Sequence, residues 1–265
     1  MKTIFLNIKN RSGSVEHYYH FLLGFLIPLV DILINVPNEA YVVRSCGPLD
    51  SIIRSLPISR IEIVDKFTHE KITRVSENNH EIKLVTLLGF DKTRYFDRSA
   101  FDEFNKTIFT LYSNDIGLES KKLSQRPLVV LIKRENHDFY RRGGPSEIPG
   151  SGAQRRSILN FPEIEFSIKS IFPMLKTVSL EDTSLPFQVA LFKNADIVIA
   201  QHGAALANLV FCRPGTKVIE ITPFDQKKLF LKLAKCMDLK YCPIHQEDQH
   251  GYVDPSELIN AFSLL

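Results

Sequence analysis

The chain contains short, almost purely apolar runs that alternate with segments whose apolar residues recur at helical spacing. In the second half these runs are LVVLIK (128–133), DIVIA (196–200) and KVIEI (217–221). Parallel strands that are buried on both faces have continuous apolar sequences of this kind. Alternation of such strands with helices indicates an α/β layer with a mostly parallel sheet.

The alternation occurs twice along the chain. In the first half, four runs of strand length precede one long helical pattern: 3–8, 41–44, 61–65, 83–88 and 97–112. A polar stretch at 113–127 is the predicted linker, and the alternation restarts at residue 128. We therefore predict two Rossmann-like domains, over residues 1–122 and 123–265. The alternative that the last helix, 255–265, packs back on the N-terminal domain is left open.

The formal charge of +3 is only mildly basic. Nucleic-acid binding needs basic residues gathered on one face, usually together with aromatic side chains. The densest basic group here is interleaved with glycine and proline instead, and consists of Lys133, Arg134, Arg141, Arg142, Arg155 and Arg156. This pattern favours a phosphorylated small molecule over a nucleic acid, with a solvated arginine-rich loop as the alternative.

The cysteines and the apolar segments indicate in which cellular compartment the protein is expected. The four cysteines form no CxxC pair and indicate free thiols in a reducing compartment, without a metal site. The apolar run 21–34 is 14 residues long and is interrupted by Gly24, Pro28 and Asp31. A membrane span needs about 20 apolar residues, so we expect a buried helix rather than stable membrane insertion, with association with a membrane surface as the alternative. The start of the chain lacks the features of a signal peptide, and a cytoplasmic location is expected.

The most informative segment runs from residue 196 to residue 223, where a buried strand turns through His202, Gly203 and Ala204 into a helix. Ligands of open α/β sheets bind at the carboxyl ends of the strands. Small residues in the turn let a ligand approach the backbone, and the helix offers free N–H groups to a phosphate. His202 is placed to hydrogen-bond a phosphate or a leaving-group oxygen, although a histidine in a turn is more often structural.

Two further polar residues lie downstream in the same segment. Asn208 falls on the first turns of the new helix, and Glu220 lies near the carboxyl end of the next strand. A carboxylate in that position can accept hydrogen bonds from ribose hydroxyls. Taken alone, Glu220 would more often be a solvated strand end.

The segment resembles the signature of glycosyltransferase family 61, "HGAaLtN…F…PG…viEi.P". The matching residues, in order, are His202, Gly203, Ala204, Asn208, Phe211, Pro214, Gly215, Glu220 and Pro223. Upstream, residues 185–192 resemble the family's "sf.eQ..lf" helix, and residues 156–160 with Glu163 resemble its "R.i.N..e" element. Arg134 ends a strand as the family's donor-side arginine does. The resemblance covers most of residues 128–223.

The resemblance implies a GT-B architecture, in which two Rossmann-like domains face each other across a cleft. It implies an N-terminal acceptor-binding domain and a C-terminal domain that binds the nucleotide sugar. The diphosphate is expected near Arg134, His202 and Gly203, with Arg141 and Arg156 as further candidates. Arginine suits this task because its planar guanidinium binds phosphate oxygens bidentately.

The implied activity is an inverting transfer from a UDP-sugar, with xylose or N-acetylglucosamine favoured, to a glycan or glycoprotein acceptor. No DxD triplet occurs in the chain. The expected site is therefore metal-independent, without a cofactor, and arginine takes the place of the divalent cation.

An inverting transferase commonly uses a general base. The segment around Glu16, His17 and His20 resembles the family's "HwllD.lp.l" element, with His20 at the histidine position and Pro28 at the proline. Where many relatives have an acidic residue, this chain has Gly24. The base is therefore expected among these three residues, or the reaction runs without a strong base. The two histidines could instead cap the helix or pack in the core.

Two other classes of function compete with this interpretation. A non-catalytic nucleotide-binding module of the same fold would explain Gly24, whereas the joint presence of Arg134, His202 and Glu220 argues against it. A nucleoside-diphosphate hydrolase or phosphatase would need paired carboxylates for a metal, and none stand out in the sequence.

Overall fold

The structure is a computed structural model of the chain. It describes residues 3–9, 14–36, 39–58, 60–76, 83–88, 96–136, 152–223 and 228–264. The described residues divide into two compact units, which we call unit 1 (residues 3–88) and unit 2 (residues 96–264). The GT-B arrangement expected from the sequence stays a prediction.

Unit 1 is an α/β layer around a parallel sheet. Its strands are β1 (Thr3–Lys9), β2 (Ala40–Arg44), β3 (Ile61–Val64) and β4 (Lys83–Leu88). Its helices are α1 (Tyr18–Phe21), a π-helical segment (Leu22–Leu26), α2 (Ile27–Asn35), a 3₁₀ turn (Gly47–Leu49), α3 (Asp50–Ser55) and α4 (Lys66–Ser76). The strand order β3-β2-β1-β4 is that of a Rossmann half, and the order reverses between β1 and β4.

The helix that follows β1 is continuous from Tyr18 to Asn35 and forms part of the core of unit 1. Leu22, Leu26 and Leu29 are fully buried, which confirms the expected buried helix. By length and composition this helix also passes the test for a membrane span, as core helices and signal sequences do, and 56% of its 18-residue window is buried inside the protein. The π-helical segment falls at Gly24, which is itself buried.

Unit 2 contains a second parallel sheet. Its strands are β5 (Val129–Ile132), β6 (Ser157–Ile158), β7 (Lys176–Val178), β8 (Ile197–Gln201), β9 (Lys217–Thr222), β10 (Lys240–His245) and β11 (His250–Gly251). The main sheet has the order β10-β9-β8-β5-β7, and β6 pairs separately with β11. Numbered along the chain within this sheet, the order is 2-1-3-4-5, a doubly wound arrangement with its reversal between β5 and β8.

The helices of unit 2 follow the predicted pattern in most places. They are α5 (Arg98–Leu111), α6 (Ser113–Lys122), α7 (Gly152–Arg155), α8 (Phe161–Ile171), α9 (Leu185–Asn194), a 3₁₀ helix (Ala204–Phe211), α10 (Leu229–Cys236) and α11 (Pro255–Leu264). Asp97 is confirmed as the N-cap of α5, where its carboxylate accepts from the backbone N–H of Ser99 at 2.9 Å and of Ala100 at 3.3 Å. The helix after β8 is a 3₁₀ helix.

The linker predicted at 113–127 is wrong over its first part, because α6 occupies it. The many polar residues of α6 form its solvent-exposed face, while Ile116 is buried and the helix packs against α9. A helix with only one buried apolar position gives a weak sequence signal and is easily taken for a loop.

The predicted boundary at residue 122 falls inside unit 2. Helix α5 also belongs to unit 2, because the side-chain amide of its Asn105 donates to the carbonyl of Val210 at 2.7 Å. Phe104 also packs against Phe211, with 6.0 Å between the ring centroids. The last helix, α11, packs against α8 and β10 of the same unit and buries Leu258 and Ala261.

The core of unit 2 generates a test of the sheet. Ile199 lies at the centre of β8, is fully buried, and pairs with Leu131 on one side and Ile219 on the other. We expect Ile199→Ala to lower the free energy of unfolding by about 2–5 kcal/mol, because it removes buried methylenes and leaves a cavity. The matched control is Ile259→Ala on α11, where the isoleucine is 40% exposed and the loss should stay below about 1 kcal/mol. Urea denaturation followed by circular dichroism compares the two, and equal losses would contradict the assignment of β8 to the core.

Candidate functional site

The reversal of strand order in unit 2 lies between β5 and β8. At such a point the chain leaves neighbouring strands toward opposite faces of the sheet, and ligands bind outside the carboxyl ends of these strands. Arg134 lies two residues beyond the end of β5, and His202 and Gly203 directly follow β8. The sheet therefore brings these three of the predicted donor-site residues together at its switch point.

Gly203 provides space for the guanidinium of Arg134. Its backbone is extended, with φ 171° and ψ −179°, so the backbone conformation does not require glycine. A Cβ at this position would lie 2.1 Å from Nη1 of Arg134. The arginine is held on its other side by the carbonyl of Gly152, which accepts from Nη2 at 2.9 Å and from Nε at 3.2 Å. The close approach that glycine allows here is thus made by a side chain of the protein itself.

Arg156 approaches the same turn from the segment before β6. It is only 7% exposed, and its Nη1 donates to the carbonyl of His202 at 3.4 Å. Burial, followed by the like charges of Arg155 and Arg134, lowers the pKa of Arg156 to about 10, while Glu220 acts in the opposite direction. The turn after β8 is therefore surrounded by positive charge that is partly removed from water, an environment that favours an anion.

A buried glutamine positions the segment that carries Arg156. Gln246 is fully buried, and its amide nitrogen donates to the carbonyls of Ser157 and Gly251, each at 2.9 Å. Its amide oxygen accepts from Nε2 of Gln201, the last residue of β8, at 2.7 Å. These bonds join the β6–β11 pair to the carboxyl ends of β8 and β10. Sequence reasoning missed Gln246 because nothing local marks a lone glutamine as a buried bridge.

His202 and Glu220 form a buried pair at the carboxyl ends of neighbouring strands. Nδ1 of His202 lies 2.5 Å from Oε1 of Glu220, and the glutamate is fully buried. The hydroxyl of Tyr241, on β10, donates to the other carboxylate oxygen. Sequence reasoning missed Tyr241 because it missed β10, an edge strand that contains Pro243.

The 3₁₀ helix that begins at Ala204 continues from this turn. The first N–H groups of a helix have no acceptor within it, so this end of the helix suits an anion. Asn208, predicted for the same site, is fully buried and donates from Nδ2 to the side-chain oxygen of Gln188 at 3.0 Å. That bond ties the 3₁₀ helix to α9. The remaining predicted arginine, Arg141, lies outside the described residues.

In unit 1, the three candidates for the base lie together at the start of the helix that follows β1. His17 is the N-cap residue of α1, its side chain makes no capping hydrogen bond, and its ring centroid is 5.5 Å from that of His20. Glu16 packs against Gly47: a Cβ added to this glycine would lie 3.5 Å from Cγ of Glu16. That position directly follows Cys46, whose pKa is raised by burial first and then by Asp50 and Glu16. The three candidates thus lie near the carboxyl ends of β1 and β2.

The sequence profile of the family described as Glycosyltransferase 61 matches residues 18–219 of the chain. The chain belongs to the glycosyltransferase 61 family. The matched range includes Arg134, Arg156 and His202 as well as His20, and so covers candidate residues of both units.

Similar curated proteins bear the name protein O-linked-mannose beta-1,4-N-acetylglucosaminyltransferase 2. The protein of Takifugu rubripes is 34% identical over 110 residues, covering 39% of this chain and 19% of the relative. That of Tetraodon nigroviridis is 36% identical over 199 residues, covering 67% and 33%. The human protein is 36% identical over 98 residues, covering 34% and 17%. The chain spans a third or less of the length of these relatives.

Among solved structures, the chain is similar to the glycosyl transferase family 9 from Veillonella parvula DSM 2008. The TM-score is 0.47 at 11% sequence identity, and the superposition covers 99% of this chain and 96% of the other.

The contact between Gly203 and Arg134 gives a direct test of the site. In Gly203→Ala, the new Cβ would occupy the position of Nη1, and the guanidinium must move. Hydrogen bonds to charged groups contribute about 1.5–3 kcal/mol, so we expect UDP, the nucleotide that the family resemblance implies, to bind about ten- to a hundredfold more weakly in isothermal titration calorimetry. Little change in unfolding temperature is expected, because the extended backbone accepts alanine.

The matched control is Gly117→Ala on α6, where a Cβ would contact nothing within 4 Å. There the affinity for UDP should not change, and the higher helix propensity of alanine should add about 0.5–1 kcal/mol of stability. Unchanged UDP affinity in Gly203→Ala would contradict the placement of Arg134 in the site.

Proposed function

We propose that the chain is an inverting, metal-independent glycosyltransferase that moves a sugar from a UDP-sugar to a hydroxyl of a glycan acceptor. Membership in the glycosyltransferase 61 family supports the reaction class. The observation that carries the proposal is the convergence of Arg134, Arg156 and His202 on the turn at the switch point of unit 2.

The arrangement suits the charge that develops during sugar transfer. As the bond between the anomeric carbon and the β-phosphate oxygen breaks, negative charge builds on the departing diphosphate. Fixed cations and helix N–H groups aimed at that charge stabilise the transition state without reorganising. The partial burial of Arg156 strengthens the effect, since electrostatic interactions are less screened away from water.

The acceptor completes the reaction. Its hydroxyl oxygen attacks the anomeric carbon from the side opposite to the departing diphosphate, which inverts the configuration, and its proton passes to a base. We propose Glu16, His17 or His20 of unit 1 as that base. The unperturbed pKa of histidine, about 6.5, lies near neutrality and suits this role.

The names of the relatives favour one donor sugar. They describe transfer of N-acetylglucosamine, so UDP-N-acetylglucosamine is the first donor to test and UDP-xylose the second. The same names describe an O-linked mannose acceptor, which supports a glycan as the acceptor of this chain. Among the described residues, no group of three or more His, Cys, Asp or Glu could hold a metal ion. Metal independence itself needs a measurement with a chelator present.

Nucleotide specificity is tested by thermal shift in the presence of EDTA. A ligand at a hundred times its dissociation constant adds about 2.7 kcal/mol of stability. We expect UDP and UDP-sugars to raise the unfolding temperature of the wild type, GDP and CMP to raise it much less, and Arg134→Ala to lose the effect of UDP. Lys133→Ala is the matched control, because this neighbouring exposed cation pairs with Glu135 at 2.6 Å. No stabilisation by any nucleotide would refute the donor site.

The base is tested by three conservative variants: Glu16→Gln, His17→Gln and His20→Gln. General-base catalysis contributes about 10²–10⁴-fold, so one of them should lower kcat by that factor while its affinity for UDP stays unchanged. Tyr18→Phe, in the same helical turn, is the control. If all three keep wild-type kcat, the reaction runs without a base from this segment.

A second candidate function is a nucleotide-binding module without turnover. It is favoured by Gly24, which occupies a buried position where the family resemblance leads one to expect an acidic residue. The two functions are separated by incubating the protein with radiolabelled UDP-N-acetylglucosamine and mannose-containing acceptors. Binding of the donor with neither transfer nor release of the sugar would favour the module.

A further inference from the structure

The carboxylate of Glu220 is occupied by protein donors on both oxygens. Oε1 lies 2.5 Å from Nδ1 of His202, and Oε2 accepts from the hydroxyl of Tyr241. The residue is 0% exposed. A ribose hydroxyl could reach this carboxylate only after the histidine or the tyrosine had moved away. The surroundings of Glu220 thus differ from those of an open strand end that waits for a ligand.

The other contacts of His202 also fix its position. Its backbone N–H donates to the carbonyl of Ile221 at 2.7 Å, and its ring meets Phe230 edge to face with 5.2 Å between centroids. An ionised carboxylate can only accept, so Nδ1 must carry the hydrogen in the bond to Glu220. In an imidazole whose Nδ1–H is bound to a carboxylate, tautomer and ring orientation are set together. Nε2 is then the nitrogen on the edge that faces away from Glu220.

We propose that Glu220 and Tyr241 are positioning residues for His202, which they hold with Nδ1–H on Glu220 and Nε2 directed to the departing diphosphate. The inference rests on the proposed function for the identity of the ligand. It replaces the role of ribose acceptor expected for Glu220. When the imidazole is protonated, Nε2–H donates to a phosphate oxygen and adds a positive charge beside the arginines.

The charges around His202 agree with this arrangement. Arg156 provides positive charge next to His202, because its Nη1 donates to the His202 carbonyl. Arg134 and Arg155 add to this charge, since both lower the pKa of Arg156. Glu220, on β9, is the carboxylate in contact with the ring. Burial first, and then the Glu220 charge, raise the pKa of Tyr241 well above its usual value, so this hydroxyl remains a donor throughout the range in which proteins are assayed. The carboxylate is therefore held in place by a partner that does not titrate.

The two roles of Glu220 are distinguished by measuring binding of three probes: inorganic diphosphate, uridine and UDP. A positioning role predicts that Glu220→Gln weakens binding of diphosphate and of UDP by similar factors, about tenfold, because the ring loses a hydrogen bond to a charged group, and leaves binding of uridine unchanged. Tyr241→Phe should show a smaller loss with the same probes, and Tyr252→Phe, at a tyrosine 70% exposed, should show none.

A ribose-binding role predicts the opposite pattern. Glu220→Gln would then bind uridine and UDP more weakly and would bind diphosphate as the wild type does. That result overturns the inference. Equal unfolding temperatures of Glu220→Gln and the wild type show that the variant is folded. If Glu220→Gln does not fold, Tyr241→Phe is compared with the wild type on the same three probes.

A second measurement does not depend on any nucleotide. In ligand-free protein labelled with ¹⁵N-histidine, and with His202 assigned by comparison with His202→Gln, NMR should show a proton on Nδ1 at pH 7. A neutral ring protonated only on Nε2 overturns the inference. If the proton is on Nδ1 but the wild type binds neither UDP nor diphosphate, the proposed function fails while the positioning of His202 by Glu220 stands.

Discussion

The site depends on how a group of arginines is accommodated next to one another at the turn after β8. Bringing guanidinium groups together and partly out of water is unfavourable, as the lowered pKa of Arg156 shows. The protein offsets this cost with backbone carbonyls, those of Gly152 and His202, and with the carboxylate of Glu220. The positive charge left over is what makes this turn suitable for an anion.

Much of unit 2 holds that arrangement in place. The parallel order of β5, β8, β9 and β10 brings their carboxyl ends to one edge of the sheet. Hydrogen bonds donated by side chains then fix what the backbone alone leaves free: Gln246 ties the segment of Arg156 to the sheet, and Tyr241 holds the carboxylate of Glu220. Residues far apart in sequence therefore determine the geometry of a turn only a few residues long.

The residues of the family signature make contacts in the structure that the motif itself does not specify. Gly203 matches the family signature, and in the structure its missing side chain makes room for Arg134. Glu220 also matches, yet it lies fully buried between His202 and Tyr241. A motif records which residues occur in order. The partner of each side chain is decided by neighbouring strands, and here the deciding strand, β10, was not recognised in the sequence.

The sequence by itself determined the α/β class, most strands and helices, and the segment that carries the candidate donor site, because buried parallel strands and amphipathic helices leave strong periodic signals. It also determined the N-cap of α5, since a cap is a local interaction. Only the tertiary structure decided that α6 is a helix of unit 2 rather than a linker, because the helix has a single buried residue and is held by packing against α9. Likewise, only the tertiary structure paired His202 with Glu220 and Arg134 with Gly203. Such contacts join separate strands and loops, and no local pattern encodes the distance between them.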